Sequence, residues 1–464
     1  MNFRHMIFHE WRLLRADRSL WVLAILTVLL IGYGIRNGLT WVEFQKQTIA
    51  AATAEQKARL ENVKEQLIAL ESSNANFDPN YFRDPRNPRA VNSVYGYQWA
   101  LLPPSDLASL AIGQSDLHPY YTAVTASSRH TSAQLDELQN PLQLLAGRFD
   151  LAFVVVYLFP LLVFAFSYNM LSEERENGTL SLVLAQPATL GSLLLAKSLL
   201  RVLYVALIAI TLSVTGFLAA GVHWGDQGVA FAASAWTLTV IAYGLVWLGM
   251  ATLVNSRGWS SAANAITLAG IWLVLVAIVP SVLNVVISTI HPLPSRIALV
   301  EAAREAQSRA LTRIGQLPGP SGSIDMDERA RSSLIQIITA EAEVLPVLRR
   351  FDEQLEKQQQ QVKLWRWISP AIMTQLALTE VAGTDGERYR QFVSATERFR
   401  ARWREFLYPI YPRRFTSADI ERIPRFSFEG SEHSRYSAET AFVLLAAYGV
   451  GIVASLRFAR RNFT

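Results

Sequence analysis

The sequence predicts an all-α polytopic membrane protein with six transmembrane helices and a large, mostly helical extracytoplasmic domain. Three observations carry that expectation. Charged residues make up only 17% of the 464 positions, where soluble domains hold about 25%. The deficit is gathered into long uncharged runs while the segments between them look ordinary. The Lys and Arg residues then cluster at alternate ends of those runs, as the positive-inside rule requires.

A hydrocarbon core of about 30 Å takes about 20 apolar residues in a helix. On that measure the spans fall at 19–35, 149–170, 198–221, 231–255, 262–290 and 437–457. The first is short, and a charged start before a short apolar run also fits a signal peptide. Before it, residues 1–18 place Phe3, Met6, Ile7, Trp11 and Leu14 at helical spacing, with His5, Glu10, Arg12 and Arg15 elsewhere around the turn. That pattern predicts an amphipathic helix lying in the cytoplasmic interface. An ordinary charged leader is the alternative.

Arg4, Arg12, Arg15, Arg18, Arg175, Lys197, Arg201, Arg257, Arg457, Arg460 and Arg461 all flank one set of span ends. The turn 222–229 carries Asp226 and no Lys or Arg. Both termini and the tail 458–464 are therefore expected in the cytoplasm, and segments 36–148 and 291–436 outside. Trp21, Trp41, Trp224, Trp236 and Trp259 fall near span ends, where aromatic belts sit. The two outer segments are of similar size, which suggests one composite domain. Within them, 45–72 predicts a helix with Leu60, Val63, Leu67 and Leu70 in a stripe, continuing the first span as a stalk. Its face of Glu55, Lys57, Arg59, Glu61, Lys64 and Glu65 reads as solvated. The Pro- and Asn-rich stretch 74–104 reads as loop, as does 317–323, while 295–316, 325–367 and 387–406 read as helices.

The chain has no cysteine, so disulfides, thiol catalysis and Cys-bound metals are excluded. The His residues are scattered, and His9-Glu10 lacks the second His of a zinc-protease helix. The net charge of +5 is explained by the span flanks rather than by nucleic acid. No charged residue lies well inside a span, which argues against ion-coupled transport. The interior polar residues are Ser167, Thr211, Ser213, Thr215, Asn264 and Asn284, expected mainly in helix–helix hydrogen bonds. Pro280 is expected to bend the fifth span. The string 191–198 lacks the second Gly of a phosphate-binding loop, so no nucleotide site and no cofactor is expected in this chain.

The informative stretch is the cytoplasmic segment 171–197. Glu173, Glu174, Arg175 and Glu176 follow a span directly, Gly178 and Thr179 break the pattern, and an apolar run from Leu180 ends at Pro187. Acidic residues here oppose the positive-inside bias. Either the segment docks on a basic cytoplasmic partner and passes rigid-body motion to the spans, or it is a solvated connector.

Glu174-Arg175-Glu176-Asn177-Gly178-Thr179-Leu180, then Leu182, Leu184 and Pro187, resembles the coupling segment of ABC-2 type permeases. It departs from the usual pattern at Ala196-Lys197, where Gly-Lys is common, and at Ala188, where many members have a basic residue. Ile368-Ser369-Pro370-Ala371, Ala382-Gly383-Thr384-Asp385, Arg388-Tyr389-Arg390-Gln391-Phe392 and Arg402-Trp403-Arg404-Glu405-Phe406 resemble the external domain of a bacterial subgroup labelled DUF3526. The resemblance implies a permease subunit of an exporter in the bacterial inner membrane, surrounded by membrane lipid. It would pair with a second permease, identical or related, and with a separate ABC ATP-binding subunit that holds ATP and Mg. Glu173, Glu174, Arg175, Glu176, Gly178, Thr179, Leu180 and Pro187 would then form the ATPase-coupling element, and the outer domain would meet a periplasmic or outer-membrane partner. A scaffold or sensor driven by ATP, and less so a secondary transporter, remain as alternatives.

Overall fold

The first predicted span does not end at the width of a membrane. In the computed structural model, α1 (Arg18–Ser72) is unbroken over 55 residues. That is about 80 Å of helix, more than twice a bilayer core. It contains no proline, and it joins the first span to the predicted stalk. The structure describes residues 8, 10–12, 18–73, 83–126, 148–180, 190–225, 227–292, 300–302, 304–306, 308–309, 312, 326–428, 430 and 435–463. The loop reading at 317–323, residue Pro187 and most of the predicted N-terminal helix lie outside them.

Two glycines let α1 lie against its neighbours. A Cβ on Gly38 would sit 1.8 Å from the Ser109 carbonyl oxygen, and one on Gly34 would sit 2.9 Å from that of Asp150. Beside them Asn37 Nδ2 donates to the Phe149 carbonyl at 2.8 Å. The stretch read as loop carries more structure than expected. There β1 (Gln98–Leu101) pairs antiparallel with β2 (Tyr121–Val124), Trp99 opposite Ala123. Four residues per strand are too few for an alternation to show in the sequence.

The second predicted span is the shortest. Helix α2 (Leu151–Ala165) falls below spanning length, and turns over residues 166–171 lead into α3 (Ser172–Glu176). After it come α4 (Leu190–Ala220), α5 (Gln227–Asn255), α6 (Ser261–Ile290), α7 (Met326–Trp365), α8 (Pro370–Val381), α9 (Gly386–Leu407), α10 (Ser417–Glu421) and α11 (Arg435–Phe463). Among the described residues five helices are long and apolar enough to cross a membrane, within α1, α4, α5, α6 and α11. Of these α5 is the hub: 72% of its apolar window is buried, against 11 to 33% in the others. Trp236, Tyr243 and Trp247 on α5 pack with Phe159 and Phe164 of α2, Val205 and Leu212 of α4, and Leu444 of α11.

Prolines shape two of these helices in the same way. Proline has no N–H and crowds the carbonyl four residues before it. In α2 a π-helical turn, Val154–Leu158, precedes Pro160, and in α6 a π-helical turn, Leu273–Ile278, precedes Pro280. The wider turn relieves the clash and leaves carbonyls for outside donors. The Tyr243 hydroxyl donates to Val156 O at 2.7 Å, and the Ser369 hydroxyl donates to Leu275 O at 2.6 Å. The expected bend at Pro280 is thus bridged by a residue of segment 291–436.

That bridge marks a departure from the sequence reading, which set all of 291–436 apart from the spans. Ser369 also caps α8, accepting from Ala371 N and Ile372 N, and α8 buries Ala371, Met373, Leu378 and Val381 in the core shared by α2, α5 and α11. The later part of the segment, α9 and the residues that follow it, does join 36–148. Val63 and Leu67 of the predicted stripe pack with Trp403, Leu407, Tyr411 and Phe415. Arg404 Nε donates to Ala126 O at 2.9 Å, and Phe415 N donates to Arg86 O at 2.8 Å. The charged face of α1 is partly used as well: Arg59 lies 3.4 Å over the Tyr97 ring, and Lys64 pairs with Glu421 at 2.7 Å.

Candidate functional site

The described part of the predicted coupling element, Glu173 to Leu180, forms one compact turn at the end of the helix bundle where α2 gives way to α4. Gly178 adopts φ +69°, a conformation cheap only for glycine, and it ends α3 as the sequence pattern suggests. Thr179 then closes the turn, its N–H and hydroxyl both reaching Glu174 O. Leu180 is buried with Met170, Leu171, Leu193 and Leu194. The turn is therefore seated on α4 by a small apolar plug.

The acidic residues divide by what they touch. Glu174, half-buried, pairs with Lys197 of α4 at 3.0 Å. Lys197 also meets Glu10 at 3.2 Å, and Glu10 meets Arg201 at 2.9 Å. Arg201 further donates to Phe166 O at 2.9 Å and Lys197 O at 3.1 Å. Glu176 accepts from the Ser261 N–H and hydroxyl, each at 2.7 Å, at the start of α6. Among the described residues the Glu173 carboxylate accepts only from Asn169, at 2.7 Å, and Glu173 stays exposed, as do Arg175, Asn177 and Thr179. Glu174 and Glu176 thus fasten the turn inward, whereas Glu173 and Arg175 face out.

A second tier of hydrogen bonds lies beneath. Asn255 of α5 donates to Ser167 O and accepts from Leu171 N and Asn264 Nδ2. Asn264 of α6 also donates to Tyr168 O at 3.1 Å, and the Ser172 and Ser261 hydroxyls lie 2.8 Å apart. Asn264 therefore bridges helices as expected, while Thr211, Ser213 and Thr215 bond back to their own helix. The string 191–198 is part of α4.

Glu10 and Asn255 are the functional-site residues that sequence reasoning missed. Glu10 was assigned to the polar side of an amphipathic helix with Trp11 on the apolar side. In the structure Glu10 is buried, and Trp11 is 38% exposed and stacks on Tyr204. The available signal was Lys197 and Arg201, four residues apart in an apolar run, two cations on one helix face that need a counter-charge. Burial pushes the Glu10 carboxyl up, but the charges of Arg201 and Lys197 outweigh it and hold the carboxyl below its ordinary range. Exposed Glu176 is also held low, by its hydrogen bonds from Ser261.

The turn is thus attached to α4 through Lys197 and to α6 through Ser261, and the residues just before it are attached to α5 through Asn255. It is a handle on three helices with one charged face left outside.

Residues 331–429 match the family described as a domain of unknown function (DUF3526). The match takes in most of α7 and all of α8, α9 and α10, and contains the four stretches on which the resemblance to that domain rests. No curated protein matches the chain.

Proposed function

We propose that this chain is the membrane subunit of an ABC-2 type, ATP-driven exporter, and that the turn carrying Glu173 and Arg175 receives a separate ATP-binding subunit. The observation that carries this reading is the wiring of α3: an exposed charged face on a turn tied to α4 by the half-buried Glu174–Lys197 pair, to α6 by hydrogen bonds of Glu176, and through the preceding Leu171 to α5. A docking subunit that moves this turn moves the bundle. The DUF3526 region, which occurs in ABC-2 transporter-type proteins, supports the same reading. On this account both termini and α3 are cytoplasmic, the membrane is the bacterial inner membrane, and two permease chains and two ATPases form the assembly. ATP and Mg belong to the ATPase.

The test is to co-express the full chain with the ABC ATPase encoded beside it, purify on a tag carried by this chain, and compare the wild type with Glu173→Lys combined with Arg175→Glu. The reading expects the ATPase to co-purify with the wild type and to be lost from the double reversal at unchanged thermal stability. Absence of the ATPase from the wild type, or equal recovery with both chains, sinks it.

A second reading is favoured by α1, which runs without a break from the bundle into the outer body. In it the ATPase drives a mechanical task in that body rather than export. Cutting α1 in two with a flexible Gly-Ser insertion near residue 46 separates the readings, since it abolishes a mechanical relay and leaves a path through the bundle intact.

A further inference from the structure

Residues 364–368, at the junction of α7 and α8, present four large apolar side chains to the outside in a row of five. Leu364 is 66% exposed, Trp365 47%, Trp367 45% and Ile368 45%. Arg366 between them turns inward, buried, and pairs with Glu439 at 2.9 Å. Glu439 stands at the start of the candidate span Ser437–Phe458. On the other side Ser369 is tied to Leu275 O. Leu275 lies inside the candidate span Ser261–Ile290, three residues past Trp272, whose indole donates to Tyr157 O in the middle of α2. The apolar face is therefore pinned between α11 and α6, two of the helices long and apolar enough to cross a membrane.

We propose that residues 364–368 are a membrane anchor of the DUF3526 region, and that the boundary between lipid headgroups and acyl chains covers them. Two indoles beside two aliphatic side chains form the composition that partitions to that boundary, where rings meet acyl chains and polar tips lie towards water and headgroups; here the Trp365 indole N–H donates to Gln361 Oε1 at 3.2 Å, one turn back along α7. Arg366 and Ser369 orient the face by holding the opposite side of the segment against α11 and α6. The DUF3526 region then does not stand clear of the membrane on a stalk. It rests on the bilayer at this turn and sends α8 down among the spans. The proposal depends on the chain spanning a membrane and is independent of the exporter reading.

The absence of cysteine from the sequence makes the test direct. Trp365→Cys and Ile368→Cys are made singly in the full chain, spin-labelled and reconstituted into phosphatidylcholine–phosphatidylglycerol nanodiscs. Collision of each label with dissolved oxygen, which concentrates in the bilayer, is compared with collision with a water-soluble nickel chelate. Glu353→Cys, on the exposed side of α7, is the reference. The proposal expects an oxygen-to-nickel ratio several-fold higher at 365 and 368 than at 353. Leu364→Cys replaces either variant that does not elute as the wild type does. A ratio equal to that at 353 overturns the proposal by placing the face in water. Protection from both reagents overturns it by placing protein, such as a second copy of the chain, on the face.

Discussion

Glu10 gathers two cations of α4 into a cluster that water scarcely reaches: its side chain is 7% exposed, that of Lys197 7% and that of Arg201 3%. Removing one member of a buried ion cluster leaves an uncompensated charge, at a cost of about 3–5 kcal/mol. Glu10→Ala is expected to lower stability on that scale in thermal unfolding of the reconstituted chain. Glu10→Ala with Lys197→Met is expected to cost less than the sum of the two single changes, because the members are coupled. The pH dependence follows from the depressed Glu10 carboxyl. A carboxyl whose folded pKa is lowered contributes stability that is complete above its ordinary range and is lost as pH falls through the folded value. The stability gap between wild type and Glu10→Gln should therefore be widest at neutral pH and close in acid. Asp419, in the core around the far half of α1, behaves likewise: burial raises its carboxyl, but hydrogen bonds from Arg413 and Thr416 prevail and hold it at about 2. Asp419→Asn should lose its difference from the wild type as acid titrates that group.

At the scale of elements, the two π-helical turns are repairs to prolines that borrow donors from other helices. Ser369→Ala removes the donor to Leu275 O together with the cap of α8, and an orphaned buried acceptor costs about 1–3 kcal/mol. Pro280→Ala returns an N–H to α6. The double variant should therefore be more stable than Ser369→Ala alone, as read by thermal unfolding. Gly38→Ala should destabilise by about 1–3 kcal/mol, the range for overpacking, since its Cβ would meet the Ser109 main chain, which cannot rotate away. Five of the six predicted spans, as helices apolar and long enough to cross a membrane, together with the stalk, α7 and α9, were legible in the sequence because hydropathy and helical spacing are properties of a window of neighbours. The insertion of α8 was not. Its 12 residues are too few for a span, and the feature that seats it, the Ser369–Leu275 bond, joins positions 94 residues apart. For the same reason Glu10 was misplaced, its pairing with Arg201 reaching across 191 residues.

Over the whole molecule, the two largest cores among the described residues are linked by α1 and by the short turn from α8 to α9. One core surrounds α5 and takes in α8. The other packs the far half of α1 against α9 and the turns that follow it. The sequence anticipated that segments 36–148 and 291–436 would combine, from their matched sizes. It did not anticipate that the combined body would reach back into the bundle. In the turn 173–180 the residue types were legible and their contacts were not: glutamates close in sequence diverge in space, Glu174 paired with α4, Glu176 bonded to the start of α6 and Glu173 turned to the outside. The central claim is that an ATPase covers that outward face. The cysteine-free chain carrying Thr179→Cys, exposed beside Arg175, tests it most directly through the rate of labelling by a membrane-impermeant maleimide in inside-out vesicles, with and without the co-expressed ATPase. The account predicts rapid labelling of the chain alone and several-fold protection when the ATPase is present. Equal labelling in both would contradict it.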